Sequence, residues 1–265
     1  RSAGRARFAA LGLPDRRQEA WRFTRLKAIE GLAFEPPSAA IPRVDVDRWR
    51  RPGSPLLAFV DGRFSPELSS PGELPDGVVL TNLPLAAATG SAVVEAHLGR
   101  LATLDRHPFA ALGTALLADG AVLWVPERTV VEAPVQILFL SAAGPAPTVC
   151  APRLLVVADA GSRLRFEEHH VGSGPAALAC PVSEVVLGPE AAVEHVVVQE
   201  VSRAASLVAL RHVELAARSR YSSQAVSLGG ALARTDIEVV LAGEHAEAAL
   251  DGLSLTDGEQ QAESH

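Results

Sequence analysis

Residues 154–171 read LLVVADAGSRLRFEEHHV, and residues 182–200 read VSEVVLGPEAAVEHVVVQE. Each segment contains an apolar run, a short break, a small residue and then a second, alternating run. The same unit returns twice more, with apolar runs at 207–215 and 237–241. The small residues of the four units are 29, 28 and 27 positions apart, namely Ser162, Ala191, Ser219 and Ala246. A slowly drifting period of this size is typical of a solenoid, in which each unit covers the face of its neighbour.

Alternation inside each unit indicates strands. Arg163 and Arg165 fall on one face of such a strand, whereas Leu164 and Phe166 fall on the other. Two strands in each period favour a β-helix over an array of helical repeats. We therefore expect a mostly β fold, a right-handed parallel β-helix. The alternative is an ordinary β-sandwich, whose strands also recur about every 8–12 residues.

The N-terminal part of the chain predicts helix. Residues 1–35 have helical spacing, and Asp15 with Gln18 forms a D-x-x-Q capping box. The arginines of this predicted helix suggest an acidic partner, although a solvated helix face is the preferred interpretation. Residues 35–55 predict a loop or arm because they are rich in arginine and proline, including Pro36, Pro37, Pro42, Pro52 and Pro55.

Short elements follow before the repeats. Residues 56–64 predict a small hairpin with Asp61-Gly62 at its turn. Pro108 suits the first turn of a helix that Asp105 or His107 could cap. Further strands are predicted at 78–80, 121–125, 129–131 and 135–140. The predicted organisation is therefore an N-terminal mixed, largely helical region over residues 1–118, and a β-helix core over 119–265 that is incomplete at its C-terminal end.

Composition limits the function. The 265 residues are 48% hydrophobic and 5% aromatic, which predicts an aliphatic core. A net charge of −7 argues against nucleic acid as the main partner, because phosphate binding needs a basic surface. No apolar run reaches the roughly 18–20 residues that span a bilayer. Two cysteines without a CxxC motif favour a cytoplasmic protein. The chain contains no methionine and starts at Arg1, which indicates a processed or truncated product.

The densest group of metal-ligand residue types is Glu167-Glu168-His169-His170. On a strand, Glu167 and His169 share one face, and Glu168 and His170 share the other. Each face then offers two ligands, fewer than the four of a closed tetrahedral site. The preferred interpretation is a strand end with a solvated polar face, and no metal site is predicted.

His195 lies one unit further on. If the units stack, His195 falls in the column of Phe166, Ser223 and Leu250, which favours an inward-facing histidine with hydrogen-bond partners over a ligand. Cys150 and Cys180 have no local spacing that predicts iron binding, so small buried thiols are expected.

Enzyme motifs are missing from the sequence: it has no GxSxG, P-loop, GxGxxG or HExxH pattern. A β-helix that cleaves or binds polysaccharides remains an alternative, since Glu184, Glu214 and Glu238 could stack in one groove. The repeats contain one tyrosine and no tryptophan to support a sugar ring, which disfavours that alternative. A purely structural repeat protein is a third hypothesis.

Four stretches resemble the SufD component of the SUF iron–sulfur cluster assembly machinery. The first, residues 12–26, is similar to the family's N-terminal "GxPxxxxEawRyT" segment. The others are residues 107–120 (HPFAALGTALLADG), residues 160–169 (AGSRLRFEEH), and the series Leu228-Gly-Gly, Arg234, Leu241-Ala-Gly and Leu250-Asp-Gly-Leu. Order and spacing carry the resemblance, and the Glu19-Ala-Trp-Arg22 stretch favours SufD over its sister SufB.

The resemblance implies a non-enzymatic scaffold that pairs with a SufB-like subunit and a SufC-like ATPase. It also implies that an iron–sulfur cluster or iron binds only in the full complex, because the family's cysteine and histidine positions lie beyond residue 265. Residues 259–265 already depart from the family pattern. No catalytic, cofactor-binding or metal-binding residue is therefore assigned. An unpaired β-helix edge also predicts a possible homodimer.

Overall fold

The computed structural model describes residues 1–35, 45–104, 107–142, 146–172 and 177–265. Strands account for 44% of the chain and helices for 15%, so the fold is mostly β. The strands form a solenoid of about five turns with two long sheets. The predicted solenoid is thus confirmed, and its right-handed sense stays a prediction.

Two sheets build the solenoid, and each coil contributes one strand to each sheet. Sheet A contains, in spatial order, β16 (Gln261–Ser264), β14 (Leu232–Leu241), β12 (Ser206–Leu215), β10 (Val182–Leu187), β7 (Arg153–Ala158), β4 (Gly120–Val125) and β3 (Val79–Asn82). Sheet B contains β15 (Glu247–Ser254), β13 (Arg220–Ser227), β11 (Ala192–Glu200), β8 (Arg163–Gly172), β5 (Val130–Ser141), β1 (Leu56–Val60) and β2 (Arg63–Phe64). Two short strands, β6 (Thr148–Cys150) and β9 (Ala177–Ala179), pair with each other, and β9 also pairs with β12.

The register of the repeats matches the spacing read from the sequence. Arg163 pairs with Ala192, Ala192 with Arg220, and Arg220 with Glu247, all in parallel. The small residues directly precede these positions, so the 29, 28 and 27-residue offsets are one coil each. Parallel pairing of all the strands from β4 to β16 excludes the β-sandwich, whose sheets are antiparallel.

One corner of the solenoid has the same backbone conformation in every complete coil. Between the sheet A strand and the sheet B strand lies a residue with positive φ: Arg128, Gly161, Glu190, Arg218 or His245, with φ between 58° and 68°. A left-handed residue turns the chain sharply, and four of these five positions are not glycine. Two of the small residues help here, because Ser162 and Ser219 donate hydrogen bonds to the carbonyls of Asp159 and Ala216.

The interior between the sheets is filled mainly by aliphatic side chains from alternate positions of the strands. Members of this core include Leu57, Leu123, Ile137, Leu154, Val156, Leu164, Val185, Leu187, Val213 and Leu215. Burial of this apolar surface stabilises the stack because each coil covers the next.

The N-terminal strands extend the same two sheets. The predicted hairpin is confirmed: β1 and β2 pair antiparallel, and the turn residues Asp61 and Gly62 both have positive φ. β1 continues sheet B beside β5 in parallel, and β3 continues sheet A beside β4. The predicted boundary between residues 118 and 119 stays a prediction.

The helix predicted over residues 1–35 is confirmed at Ser2–Leu11 and is wrong beyond it, so the helical region is small. Its helices are α1 (Ser2–Leu11), α2 (Leu83–Ala88), α3 (Ala92–His97) and α4 (Pro108–Leu116). Residues 12–30, which we call the strap, contain two single 3₁₀ turns, at Glu19–Trp21 and Leu26–Ala28. Asp15 accepts a hydrogen bond from the Arg17 N–H instead of capping a helix. Trp21, Leu26 and Ile29 are buried and hold the strap against the solenoid.

Helix α4 begins as the sequence predicts. Pro108 occupies its first turn, and the His107 side chain accepts a hydrogen bond from the Phe109 N–H. The alternative cap Asp105 and the prolines Pro36, Pro37 and Pro42 of the predicted arm lie outside the described residues. None of the helices in the described ranges has the length and apolarity needed to cross a membrane.

Candidate functional site

A group of polar side chains lies inside the solenoid, where the remaining core is mostly aliphatic. We call it the interior cluster, and its members are Glu168, His170, Ser183, His195, Arg211, Tyr221 and Ser223. They come from five strands, β8 and β10 to β13. All seven are buried, so the cluster is closed to solvent.

Glu168 is the centre of the interior cluster. One carboxylate oxygen lies 2.7 Å from His170 Nε2, and the other lies 3.1 Å from His195 Nε2. Ser183 Oγ donates to the same carboxylate at 3.0 Å. Burial alone would raise the pKa of Glu168, but the hydrogen bonds from His170 and His195 outweigh it and hold that pKa well below its usual range. Glu168 is therefore a buried carboxylate anion.

His195 lies where the stacking of the units predicted it. It pairs in register with Phe166 and Ser223, and its ring stacks on Phe166 with centroids 4.0 Å apart. Its Nδ1 lies 2.8 Å from the Tyr221 hydroxyl. Burial lowers the pKa of His195 to about 4, so the ring is neutral at neutral pH. The predicted inward histidine is confirmed.

Arg211 supplies the positive charge of the interior cluster. Its Nη1 donates to Ser223 Oγ at 3.4 Å, and none of the carboxylates in the described ranges lies within ion-pair distance of it. Tyr221 and His195 lie between this cation and the Glu168 anion, as shown by the contacts that each makes. The cluster thus holds a buried carboxylate and a buried guanidinium that are not in direct contact, in a medium of low dielectric constant, where electrostatic forces are strong.

Residues 167–170 alternate as predicted but are not a solvated strand end. Glu168 and His170 point inward, whereas Glu167 and His169 lie on the outer face, with Glu167 Oε2 3.3 Å from His169 Nε2. Glu167 is nevertheless buried, because Arg51 reaches it at 2.5 Å. The sequence interpretation failed because a segment more than a hundred residues away covers this face.

Metal ligands are not gathered at these positions. Within the described ranges, no group of three or more His, Cys, Asp or Glu side chains is arranged to hold an ion. The sheet separates the Glu167–His169 pair from the Glu168–His170 pair. That the chain itself binds no metal or cofactor stays a prediction.

The two cysteines are free thiols on neighbouring coils. The Cys180 N–H donates to the Cys150 carbonyl at 2.9 Å, and Cys180 is fully buried. Burial raises the pKa of both thiols, that of Cys150 to about 12. Because the thiolate is the nucleophile and the metal ligand, neither cysteine is activated in this fold.

The carboxylates of the polysaccharide hypothesis have other partners. Glu184 is fully buried, and its oxygens accept hydrogen bonds from the N–H groups of Gly99 and Leu101. Glu214 forms a bidentate pair with Arg100. In register, Glu184 and Glu238 share one column, and Glu214 falls in another. Glu184 and Glu214 therefore bind the loop before α4, and Glu238 lies apart from that loop. The three predicted residues do not form an acid–base pair.

A second polar site fastens the strap to the outer face of sheet A. We call it the latch; its members are Trp21, Thr24, His107, Arg234, Asp236 and Glu263. The Arg234 guanidinium lies 3.9 Å from the Trp21 ring centroid, although the side chain is only 2% exposed. Its Nη1 donates to Thr24 Oγ1 at 2.6 Å and to Glu263 at 3.1 Å.

Asp236 completes the latch. It accepts two hydrogen bonds from Arg234, at 2.9 and 2.7 Å, and lies 2.8 Å from His107 Nε2. Burial alone would raise the pKa of Asp236, but these hydrogen bonds and the Arg234 charge lower it overall. Sequence reasoning missed the latch, although an Arg-x-Asp pair on the outer face of a strand signals a buried ion pair.

The latch joins three of the four stretches on which the family resemblance depends. Trp21 and Thr24 belong to the first stretch, His107 to the second and Arg234 to the fourth. Residues that lie up to 239 positions apart in sequence thus meet at one site. Three of the stretches that carry the resemblance are therefore linked by one tertiary contact.

Comparison with known proteins supports the family resemblance. Residues 1–137 match the model of the SufBD protein N-terminal region, and residues 139–265 match the SufBD core domain of the SUF system for FeS cluster assembly. The chain is 29% identical to an iron–sulfur cluster assembly SufBD family protein of Synechocystis, over 97% of this chain and 59% of that protein.

Two further relatives were found, one with lower identity and one that matches a shorter part of the chain. Protein ABCI7, chloroplastic, of Arabidopsis thaliana is 26% identical over 95% of this chain and 54% of its own length. The iron–sulfur cluster assembly protein SufD of Bacillus subtilis is 32% identical over 61% of this chain and 37% of its own length. The chain therefore spans little more than half the length of the curated relatives it matches over nearly all of its residues.

Proposed function

Because this chain belongs to the SufBD family of the SUF iron–sulfur cluster assembly system, we propose that it acts as a non-enzymatic scaffold subunit. The observation that carries the proposal is the match to both family models, one after the other, along nearly the whole chain. The solenoid supports it, because stacked coils present long, ordered surfaces suited to binding other proteins. The buried polar clusters favour a structural role, since their side chains are occupied by one another.

The proposed partners are a SufB-like subunit and a SufC-like ATPase. Pairing with the SufB-like subunit would take place at an edge strand of the solenoid in the full-length protein. All eight residues of β15 are exposed, including Leu250 and Leu253, and its strand neighbour in the described ranges is β13. Strand addition at such an edge satisfies unpaired backbone groups and extends a sheet across two chains. A homodimer through the same edge is the related possibility for the chain alone.

Iron or an iron–sulfur cluster is cargo in this proposal, and it binds in the full complex. The raised pKa values of both thiols keep them protonated, which supports a site built with residues from outside residues 1–265. A cytoplasmic location is proposed with the same function.

The test is assembly of the full-length protein with the SufB-like and SufC-like proteins of its own organism. Co-expression and size-exclusion chromatography with light scattering should give one stable complex. In residues 1–265 alone, Leu253→Lys places a charge on the outer face of β15 and should weaken self-association through the exposed edge at least tenfold. Leu85→Lys, on an exposed position of α2, is the matched control. Separate elution of the wild-type proteins would contradict the proposal.

A further inference from the structure

The strap is a basic surface on an acidic protein. Residues 12–30 contain five basic residues and three acidic residues, a net charge of +2, whereas the whole chain has −7. The sequence alone favoured a solvated helix face for these arginines. The structure removes that explanation, because the segment is not a helix but an ordered strap with one side against the solenoid.

The backbone around Phe23 is fixed on both sides. The Arg22 carbonyl accepts from Arg16 Nε at 3.2 Å, and the Phe23 carbonyl accepts from Gln261 Nε2 at 2.8 Å. The Arg25 N–H donates to Gln261 Oε1 at 3.1 Å. Buried residues of the latch lie before and after this position in sequence. Phe23 is therefore held in one orientation by contacts that do not involve its own ring.

The Phe23 side chain itself projects into solvent. It is 72% exposed, more than any other large hydrophobic side chain in the described ranges. The Arg22 guanidinium lies 5.5 Å from its ring centroid. An aromatic ring and an arginine displayed on a rigid backbone are typical of residues that dominate protein interfaces, because little entropy is lost on binding.

The cations around Phe23 are available to a partner. Arg16, Arg22, Arg25 and Lys27 have no carboxylate within 4 Å in the part of the chain that the structure describes. Arg25 and Lys27 line both of two adjacent hollows, of about 400 and 500 Å³. Trp21 and Leu26 contribute to the lining of the smaller hollow, in which the three cations Arg16, Arg25 and Lys27 outnumber the carboxylates Asp15 and Glu30. Asp257 and Glu259 line the larger hollow together with Arg25, Lys27 and Arg203. Basic residues beside partly apolar hollows fit carboxylate side chains better than uncharged ones.

We propose that Phe23, with Arg22, Arg25 and Lys27, is a docking surface for an acidic protein. That partner would place the Phe23 ring in an apolar socket and its own carboxylates against the three cations. The proposal does not depend on a role in cluster assembly.

The first experiment places a photo-cross-linking phenylalanine analogue at position 23 of the full-length protein in its own cells. Irradiation should give a discrete protein adduct, and mass spectrometry should place the cross-link on an acidic surface. An adduct with lipid or nucleic acid, a cross-link to a basic or neutral surface, or no discrete adduct would overturn the proposal.

The second experiment measures binding of this protein to the purified partner that the cross-link identified. Phe23→Ala should weaken its binding at least tenfold, and Arg22→Glu with Arg25→Glu should weaken it further and flatten the salt dependence. Leu85→Ala and the pair Arg163→Glu, Arg165→Glu are matched surface controls, expected to bind as the wild type does. All of these positions are exposed, so unchanged thermal unfolding should confirm that the variants fold. Unchanged affinity of Phe23→Ala would overturn the proposal.

Discussion

At the scale of single residues, the interior cluster makes the core sensitive to acid. The folded state holds His195 neutral with a pKa of about 4, whereas in the unfolded chain its pKa is about 6.5. The unfolded state therefore binds more protons as the pH falls from about 6.5 to 4, and stability falls over this window by up to about 3 kcal/mol. Glu168, with a lowered pKa, contributes stability that is lost only at lower pH.

Replacement of the ring tests this assignment. His195→Gln keeps polar atoms near Glu168 and Tyr221 but does not titrate, so it should flatten the decline of the unfolding free energy between pH 6.5 and 4. His170 and Arg211 also belong to the cluster and stay unchanged in this variant. Urea unfolding at several pH values measures the effect. His245→Gln, at an exposed corner, should leave the decline as it is; an equal response of both variants would contradict the assignment.

The cysteines give a second prediction at this scale. Because burial raises the pKa of Cys150 to about 12 and that of Cys180 well above its usual value, the native protein should react slowly with iodoacetamide at pH 8. Mass spectrometry should show alkylation at least a hundredfold faster in urea than in buffer. Rapid native modification of either thiol would show that the coils around it open readily.

At the scale of elements, the repeated corner decides how each coil turns. Gly161 has φ 68° there and His245 has φ 58°. Gly161→Val forces a β-branched residue into the left-handed region and should cost about 1–2 kcal/mol. His245→Gly removes that strain, but it also raises the entropy of the unfolded chain. The free energy of unfolding should therefore rise by only about 0.5 kcal/mol. Thermal unfolding of both variants checks the opposite signs, and a loss in both would mean that the corner is not strained.

The spacing of the repeats could be read from the sequence because a coil of constant design repeats its small residues and its alternation. The column of His195 followed from that spacing. The strap could not be read in the same way, since the capping box at Asp15 and Gln18 is a local signal. Contacts of Trp21 with Arg234, more than two hundred residues away, outweigh it. The latch depends on similar distant contacts, whereas the interior cluster joins neighbouring coils.

At the scale of the whole molecule, the strap fastens the last described coil. Glu263 and Gln261 of β16 contact Thr24 and Arg25, and β16 has β14 as its strand neighbour in the described ranges. Loosening the strap should therefore free β16 before the middle coils.

Trp21→Ala tests this coupling, since it removes a buried ring and the contact with Arg234. Hydrogen exchange at the amides of Gln261–Ser264 should accelerate at least tenfold, whereas exchange in β7 should not change. Trp49→Ala is the matched control, because Trp49 bonds Glu200 on the outer face of sheet B. Equal acceleration of β16 in both variants would mean that the strap does not fasten it specifically.

The hydrogen bond between Thr24 and Glu263 joins residues 239 positions apart. A ribosome adds roughly 5–20 residues per second, so about 10–50 s pass between the synthesis of the two partners. During that time the newly made Trp21 and Phe23 cannot be secured by β16. The nascent polypeptide thus exposes Trp21 and Phe23 to chaperones until translation has passed residue 263.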